Sequence, residues 1–419
     1  MKVLLIGSGG REHALGWAMS KSPLVHELIS LPGNPGLAGL GAVVEGIAAD
    51  DVGAIAQVAQ AEQVDLVIVG PEVPLVAGIV DALEGKGIAV FGPTRAAARL
   101  EGSKKFAKEI MDRSGVATAA WQAFTEREPA IAYLAEKSGP YVVKADGLAA
   151  GKGVLVTEDR DEAGAWVERC LDGGFGPAGT TVIIEDYLAG PELSVFAICD
   201  GTTAIPLAPA RDYKRLRDAD EGPNTGGMGC YSPVEDLPDG IVDHTLANVI
   251  SPVMATLAAD GTPYVGFIYA GLVLTDDGPV VLEFNCRLGD PETQVVLPRM
   301  DDDLLELLLS ALDGTLQGRS INWFEGTAVD VVLAADGYPE APRKGDVISG
   351  VAGASQEDGV IIFHAGTAVK DGNLVTAGGR VLNIVGTGPD AASARGRAYA
   401  AAGEINWDGK QFRSDIAER

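Results

Sequence analysis

The sequence predicts an α/β protein that passes into α+β. A parallel-sheet domain spans 1–100, a glycine-rich middle region spans 101–325, and a small β-rich domain spans 326–419. Three observations predict this. Short apolar runs alternate with helical segments up to residue 100, the pattern of a parallel sheet covered by helices on both faces. At Glu101 the character changes to a basic amphipathic stretch, followed by glycine-rich loops between strand-like runs. After residue 326 one β-run follows another.

In chain order, KVLLIG is a buried strand and SGGREHALGWAM turns into a helix. HELISL is a second strand, ended by PGNPG, and residues 50–61 are helical. DLVIVG (65–70) and IAVFG (88–92) are further strands, separated by PEVPLVAGIVDALEGKG. Ligands of such a sheet bind beyond the carboxyl ends of its strands, which here carry Gly7–Glu12, Pro32–Gly36, Gly70–Pro74 and Gly92–Thr94. SKKFAKEIMDRSG is a helix, and DLLELLLSAL (303–312) is an amphipathic helix that closes the middle region. TAVDVVLAA, GVIIFHA, NLVT and RVLNIVG are strands of the last domain, and a helix begins near Pro389.

Composition narrows the function. With 47% hydrophobic and 22% charged residues, the 419-residue chain can bury large cores. A net charge of -27 repels nucleic acid and anionic membranes. It does not exclude nucleotides, because Mg²⁺ and local Lys or Arg override the global sign. Cys170, Cys199, Cys230 and Cys286 show no CxxC spacing, which points to reduced thiols in a cytoplasmic setting. The four His are scattered and suggest no metal site. No stretch approaches 18 apolar residues, so no transmembrane helix is expected.

The most informative motif is VVLEFNCRLGDPE (280–292). Side chains on a strand alternate faces, so Glu283, Asn285 and Arg287 share one face and Phe284 and Cys286 the other. Glu and Asn offer hard oxygen donors suited to Mg²⁺ on phosphates. Arg287 is a fork for a carboxylate or phosphate. The plain alternative is an exposed strand face with a Glu/Arg pair.

Gly7-Ser-Gly-Gly-Arg-Glu12 lies between a strand and a helix. It departs from a dinucleotide fingerprint, because Glu12 stands at the third glycine position and no acid follows the second strand. The helix start can still take a phosphate through free N–H groups, and Arg11 favours a sugar phosphate. YVVKADGLAAGKGVLVT (141–157) resembles a P-loop but has Asp146 and Gly153 where Gly and Ser/Thr are required. Its flanks are both strand-like. It is therefore a glycine-rich hairpin over phosphates, with Lys144 on a strand where burial requires an anion. In VIIEDYLAGPELSV (182–195), backbone groups after Glu185 can read an adenine edge, and a nearby Glu can hold ribose hydroxyls. RDYKR (211–215) brings positive charge, and EGPNTGGMGCYSP (221–233) is a glycine-rich loop whose backbone can approach a ligand closely.

In this order, GSGGREHAL, PGNPG, VGPEVPL, FGPT, LEGSKKFAK, VVKADGLAAGKGV, GPNTGGMG, YAGL, EFNCRLGDPETQ, FHAGT and GGRVL resemble the phosphoribosylamine–glycine ligase family of the ATP-grasp superfamily, nearly end to end. The resemblance implies a pre-ATP-grasp domain over 1–100. A two-lobed ATP-grasp domain follows over 101–325, with a mobile lid lobe about 122–192. It implies ATP as co-substrate, with Mg²⁺ or Mn²⁺ on Glu283 and Asn285. Lys104, Lys144 and Gly151, Lys152 and Gly153 would meet the phosphates. Glu185, Tyr187, Leu188 and Glu192 would hold the adenosine moiety. Gly9, Gly10, Arg11, Glu12, Glu72, Asn224, Thr225, Gly226 and Asp290 are candidates for phosphoribosylamine and glycine. Arg287, Lys214 and Asp212 form the catalytic set, with Arg287 on the glycine carboxylate. The chain departs from the family pattern at Arg211, where Gln is expected, and at Pro191. It also has no acidic residue on the strand 269–274. The implied reaction joins glycine to 5-phosphoribosylamine through glycyl phosphate, in a monomer or weak dimer acting on small molecules. The alternatives are another purine-pathway ATP-grasp enzyme (a carboxylase or formate-dependent transformylase) and a non-catalytic sugar-phosphate or nucleotide sensor.

Overall fold

The computed structural model describes residues 1–149 and 153–418. Lys2–Gly7 lies at the centre of a five-stranded parallel sheet. On one side come Glu27–Pro32 and then Ala42–Val43; on the other come Leu66–Val69 and Ala89–Phe91. Val3, Leu4, Leu5 and Ile6 are fully buried, as expected of a central parallel strand packed on both faces. Strand order reverses at Lys2–Gly7, so the crevice beyond its carboxyl end is the natural ligand side. The edge pair Ala42–Val43 is too short to show a period in the sequence.

Among the described residues three larger antiparallel sheets follow, besides two two-stranded ones. Trp121–Phe124, Val182–Asp186, Tyr141–Ala145 and Val154–Thr157 form the lid sheet. Its separate core includes Phe124, Leu134, Val143, Val167 and Ile184. The hairpin 141–157 is thus strand-flanked, as its sequence predicts. Ala204–Pro206, Glu192–Asp200, Val265–Thr275 and Gly278–Asn285 form a second sheet. The helix Lys104–Ser114 packs near it, with Ala107, Ile110 and Met111 buried. The N-cap hydroxyl of Ser103 accepts the Phe106 N–H, and Gly115 ends the helix at positive φ.

The third sheet runs across the boundary at 326. Its order is Arg211–Asp212, Gly229–Ser232, Thr327–Ala334, Arg380–Gly388 and Val360–His364. Two strands of the middle region therefore complete the sheet of the last one. Gly229–Ser232 pairs with Ala328–Val331, whose side chains are buried. Local β-runs carry no record of their partners, so the sequence separated what folding joins.

One correction concerns apolar length. Ile241–Ala259 forms one helix that is long and apolar enough to cross a membrane by those criteria alone. It carries Asp243 and His244, and it buries Val249, Ile250, Val253, Met254 and Leu257 in the protein core. It packs against Lys104–Ser114, so its apolar side is used within the fold.

Candidate active site

A cavity of about 570 Å³ opens between the lid sheet, the second sheet and the first and last domains. Most sequence candidates line it: Arg11, Glu72, Lys104, Lys144, Gly153, Glu185, Tyr187, Leu188, Glu192, Asp212, Lys214, Asn224, Thr225, Gly226, Glu283, Asn285, Arg287 and Asp290. Gly151 and Lys152 lie outside the described residues. A second cavity of about 330 Å³ surrounds Lys137 and Tyr187 and contains none of Lys104, Lys144, Glu283 and Asn285.

On the lid side, Lys144 projects from Tyr141–Ala145 and ion-pairs with Glu185 on the neighbouring strand. Lys108 approaches the same carboxylate from the helix Lys104–Ser114, at 2.5 Å. All three side chains are buried. Burial alone would raise the Glu185 pKa, but Lys144 and Lys108 hold it below the usual carboxylate range. Burial lowers the Lys108 pKa in spite of Glu185. Lys104 donates to the Gly147 carbonyl at 3.2 Å, and burial lowers its pKa against the opposing field of Glu283.

On the opposite wall, the strand Gly278–Asn285 presents Glu283 and Asn285 on one face, two residues apart. Gly271 is the cross-strand partner of Glu283, so the adjacent strand supplies no carboxylate there. A carboxylate and an amide oxygen at alternate positions fit a hard divalent cation that completes its shell with phosphate and water oxygens. Among the described residues no cluster of three His, Cys, Asp or Glu forms a protein-only metal cage.

Arg287 is already oriented. Its Nε donates to Glu72 at 3.1 Å, and its terminal nitrogens donate to Glu101 at 2.7 Å, Asn285 Oδ1 at 3.1 Å and the Leu288 carbonyl at 3.3 Å. Burial works against the charge of Arg287, but Glu101 and Glu72 keep it ionised. Burial likewise opposes the Glu72 charge, and Arg287 and Arg11 hold its pKa at about 2. Much of the guanidinium fork is thus engaged by protein, leaving fewer donors for glycine than the sequence implies.

Further along the wall, Lys214 lies 2.7 Å from Glu192 and 3.0 Å from Asp212. Burial opposes its charge, yet Asp212, Tyr269 and Glu192 push its pKa well up. Glu192 therefore has an ammonium partner beside any ribose it would hold. Arg211, the departure from pattern, does not line the cavity; it turns to Asp236 at 2.9 Å and to the Tyr231 hydroxyl at 3.2 Å.

Gly9, Gly10 and Glu12, expected beside a phosphate, do not line the cavity. The Glu12 carboxylate accepts the Gly9 N–H at 2.6 Å, and the Arg11 side chain pairs with it at 2.6 Å. The Arg11 N–H points to Asp290 at 3.3 Å. A Cβ at Gly7, Gly9 or Gly70 would run into Glu12, and one at Gly10 into Asn383 and Gln294. These glycines admit protein side chains. An added phosphate would meet two carboxylates at the helix start.

The sequence reading missed Glu101, Lys108, Glu292 and Arg380, all lining the cavity. Lys108 was visible as the i+4 neighbour of Lys104, on the face that also carries Met111. Glu292 and Arg380 lie within motifs GDPETQ and GGRVL whose other members drew attention. Burial, with Asp212 beside it, raises the Glu292 pKa to about 7. Arg380 reaches in from the last domain, donating to the carbonyls of Gly226 at 2.5 Å and Asp290 at 2.6 Å.

Comparison with known proteins identifies the family. Family models described as the phosphoribosylglycinamide synthetase N domain, ATP-grasp (A) domain and C domain match residues 1–101, 102–293 and 328–419. A phosphoribosylamine–glycine ligase of Mesorhizobium japonicum is 50% identical over 99% of this chain and 97% of its own. The crystal structure of phosphoribosylamine–glycine ligase from Thermotoga maritima superposes with a TM-score of 0.87 at 37% identity, covering 99% of this chain and 100% of that one. The biotin carboxylase domain of 2-oxoglutarate carboxylase from Hydrogenobacter thermophilus, in complex with MgADP, shares the fold. Its TM-score is 0.76 at 18% identity, over 98% of this chain and 91% of that one.

Proposed function

The chain belongs to the phosphoribosylglycinamide synthetase family, and from that premise we propose how its cleft performs the family's chemistry. The protein is an ATP-dependent ligase of purine biosynthesis that joins glycine to 5-phosphoribosylamine. It uses ATP with a divalent metal.

One observation carries the assignment of roles: Lys104 and Lys144 line the same cavity as Glu283, Asn285 and Arg287. Glu283 and Asn285 would hold Mg²⁺ or Mn²⁺, which when bound neutralises phosphate charge. Lys104 and Lys144 offset the charge of the transferred phosphoryl group. Glu185, Leu188 and Glu192 hold the adenosine moiety. Arg287, fixed by Glu72 and Glu101, turns the glycine carboxylate toward the γ-phosphorus. The carboxylate oxygen attacks, ADP departs and glycyl phosphate remains. Asn224, Thr225, Gly226 and Asp290 hold phosphoribosylamine, with Arg11 as the nearby cation. Its amine attacks the glycyl carbonyl, phosphate leaves with the carboxylate oxygen, and the amine proton passes to a carboxylate of the wall. Lys214, anchored by Asp212, faces the charge that departs. Positioning and electrostatics supply the rate, and no side-chain nucleophile is required. Four buried, unpaired thiols support a reducing, cytoplasmic setting.

ADP release is the direct test, with ATP, glycine and freshly generated phosphoribosylamine each omitted in turn. Release requiring all three supports the reading. Release with bicarbonate or formate in place of glycine would assign the cleft to the carboxylase or transformylase alternative.

A further inference from the structure

Lys108 is a buried ammonium to which the ligation chemistry gives no role. It stands one helical turn after Lys104, on the face of Lys104–Ser114 that also buries Ala107 and Met111. A lysine there is costly unless its charge is matched and its N–H groups are bonded. It has two partners. Its Nζ lies 2.5 Å from Glu185 Oε2 and donates to Thr118 Oγ1 at 2.7 Å. The Thr118 hydroxyl in turn donates to the Val281 carbonyl at 2.8 Å. Val281 is on the strand that carries Glu283 and Asn285. A continuous chain therefore runs from the lid sheet, through one helix, to the oxygen-donor strand.

Charge counting gives the chain a purpose. One carboxylate, Glu185, sits between two ammonium groups, Lys144 and Lys108. Only Lys144 is among the cations assigned to phosphate. When Lys144 turns to a nucleotide, Glu185 would be left as a buried, unmatched charge unless a second cation stayed in place. Lys108 is tethered through Thr118 and meets that need. We propose that Lys108 is a positioning residue for nucleotide binding, the standing counter-ion that keeps Glu185 in place when Lys144 is drawn to phosphate and that ties the lid sheet to the oxygen-donor strand. This rests on the assignment of Lys144 and Glu185 to the nucleotide.

The test compares full-length Lys108→Met, Lys108→Arg and Thr118→Val by ADP binding calorimetry, steady-state kinetics and thermal melting. Lys108→Met is expected to weaken ADP binding and raise the ATP KM by about tenfold or more, the scale of losing one buried charged partner. Its glycine KM should stay within about twofold, because no partner of Arg287 changes. Lys108→Arg should restore most of the ATP affinity. Wild-type ADP affinity in Lys108→Met, or an equal loss for ATP and glycine, would overturn the proposal. Thr118→Val keeps the ion pair and covers the case in which Lys108→Met does not fold. A rise in ATP KM alone supports the tether, and an unchanged value refutes it. Lys144→Met and Glu185→Gln separate the two levels. If both bind ADP normally, the nucleotide assignment itself fails. If both are impaired while Lys108→Met is not, only the role of Lys108 fails.

Discussion

Arg287 shows how much a single side chain is asked to do. The sequence reads it as a fork on a strand face. The strand itself ends at Asn285, and the guanidinium is held by Glu72, Glu101 and Asn285. Lysine keeps the charge but lacks the planar fork that reaches these groups. Arg287→Lys should therefore raise the glycine KM more than the ATP KM. It should also lower stability by roughly 3 kcal/mol, because Glu101 is left in a buried site with a poorer partner. Kinetics on both substrates and a denaturant melt measure the two effects. A larger change in the ATP KM would move Arg287 to the nucleotide side of the cleft.

At the scale of the element, the start of helix Gly10–Met19 is the instructive case. The run GSGGRE has the look of a phosphate loop, and the residue that breaks the fingerprint, Glu12, is the one that explains it. Its carboxylate caps the Gly9 N–H and is enclosed by Gly7, Gly9 and Gly70, with Gly7 at φ +124°. Gly70 comes from the loop after a different strand, so this turn is built by two loops at once. Gly70→Ala should push the carboxylate off the cap. The expected cost is about 1–3 kcal/mol from overpacking and a displaced charged bond, read as a lower melting temperature. An unchanged melting temperature would mean that Glu12 moves freely and that the glycines are not required by it.

Across the whole molecule, the first and last domains meet at His13. It is buried against Phe363, whose ring also meets Trp17, and its Nδ1 accepts the His364 N–H at 2.8 Å. Burial, with His364 nearby, lowers its pKa from 6.5 to about 3. The unfolded chain therefore binds a proton near pH 6.5 that the folded protein refuses. Above pH 6.5 His13 is neutral in both states and costs nothing. As pH falls from 6.5 toward 3, stability is lost at up to about 1.4 kcal/mol per pH unit. Melting between pH 7.5 and 4.5 should fall more steeply for the wild type than for His13→Gln, whose amide oxygen can accept the same N–H. Parallel slopes would show that other groups set the acid limit. The same domain contact explains why Arg380 escaped notice. It enters a cleft otherwise built by residues up to 292, and nothing local to GGRVL says which surface it will face.

The sequence by itself determined the strand–helix alternation of the first domain, because hydrophobic period and glycine punctuation are local properties. It also determined the chemistry of the oxygen-donor strand, because Glu283 and Asn285 need only a period of two to share a face. Family membership was legible for the same reason, in short motifs read one at a time. Tertiary structure alone decided the rest. It joined Gly229–Ser232 to Thr327–Ala334 in one sheet and filled the Gly9–Gly10 turn with Glu12. It set Glu101 and Glu72 around Arg287, and it placed Lys108 beside Glu185. Apart from the bond of Glu12 to Gly9, three residues before it, each of these is a pairing between residues far apart in the chain. Burial makes such pairings obligatory, since a charge or a strand edge removed from water must find its partner wherever the fold brings one.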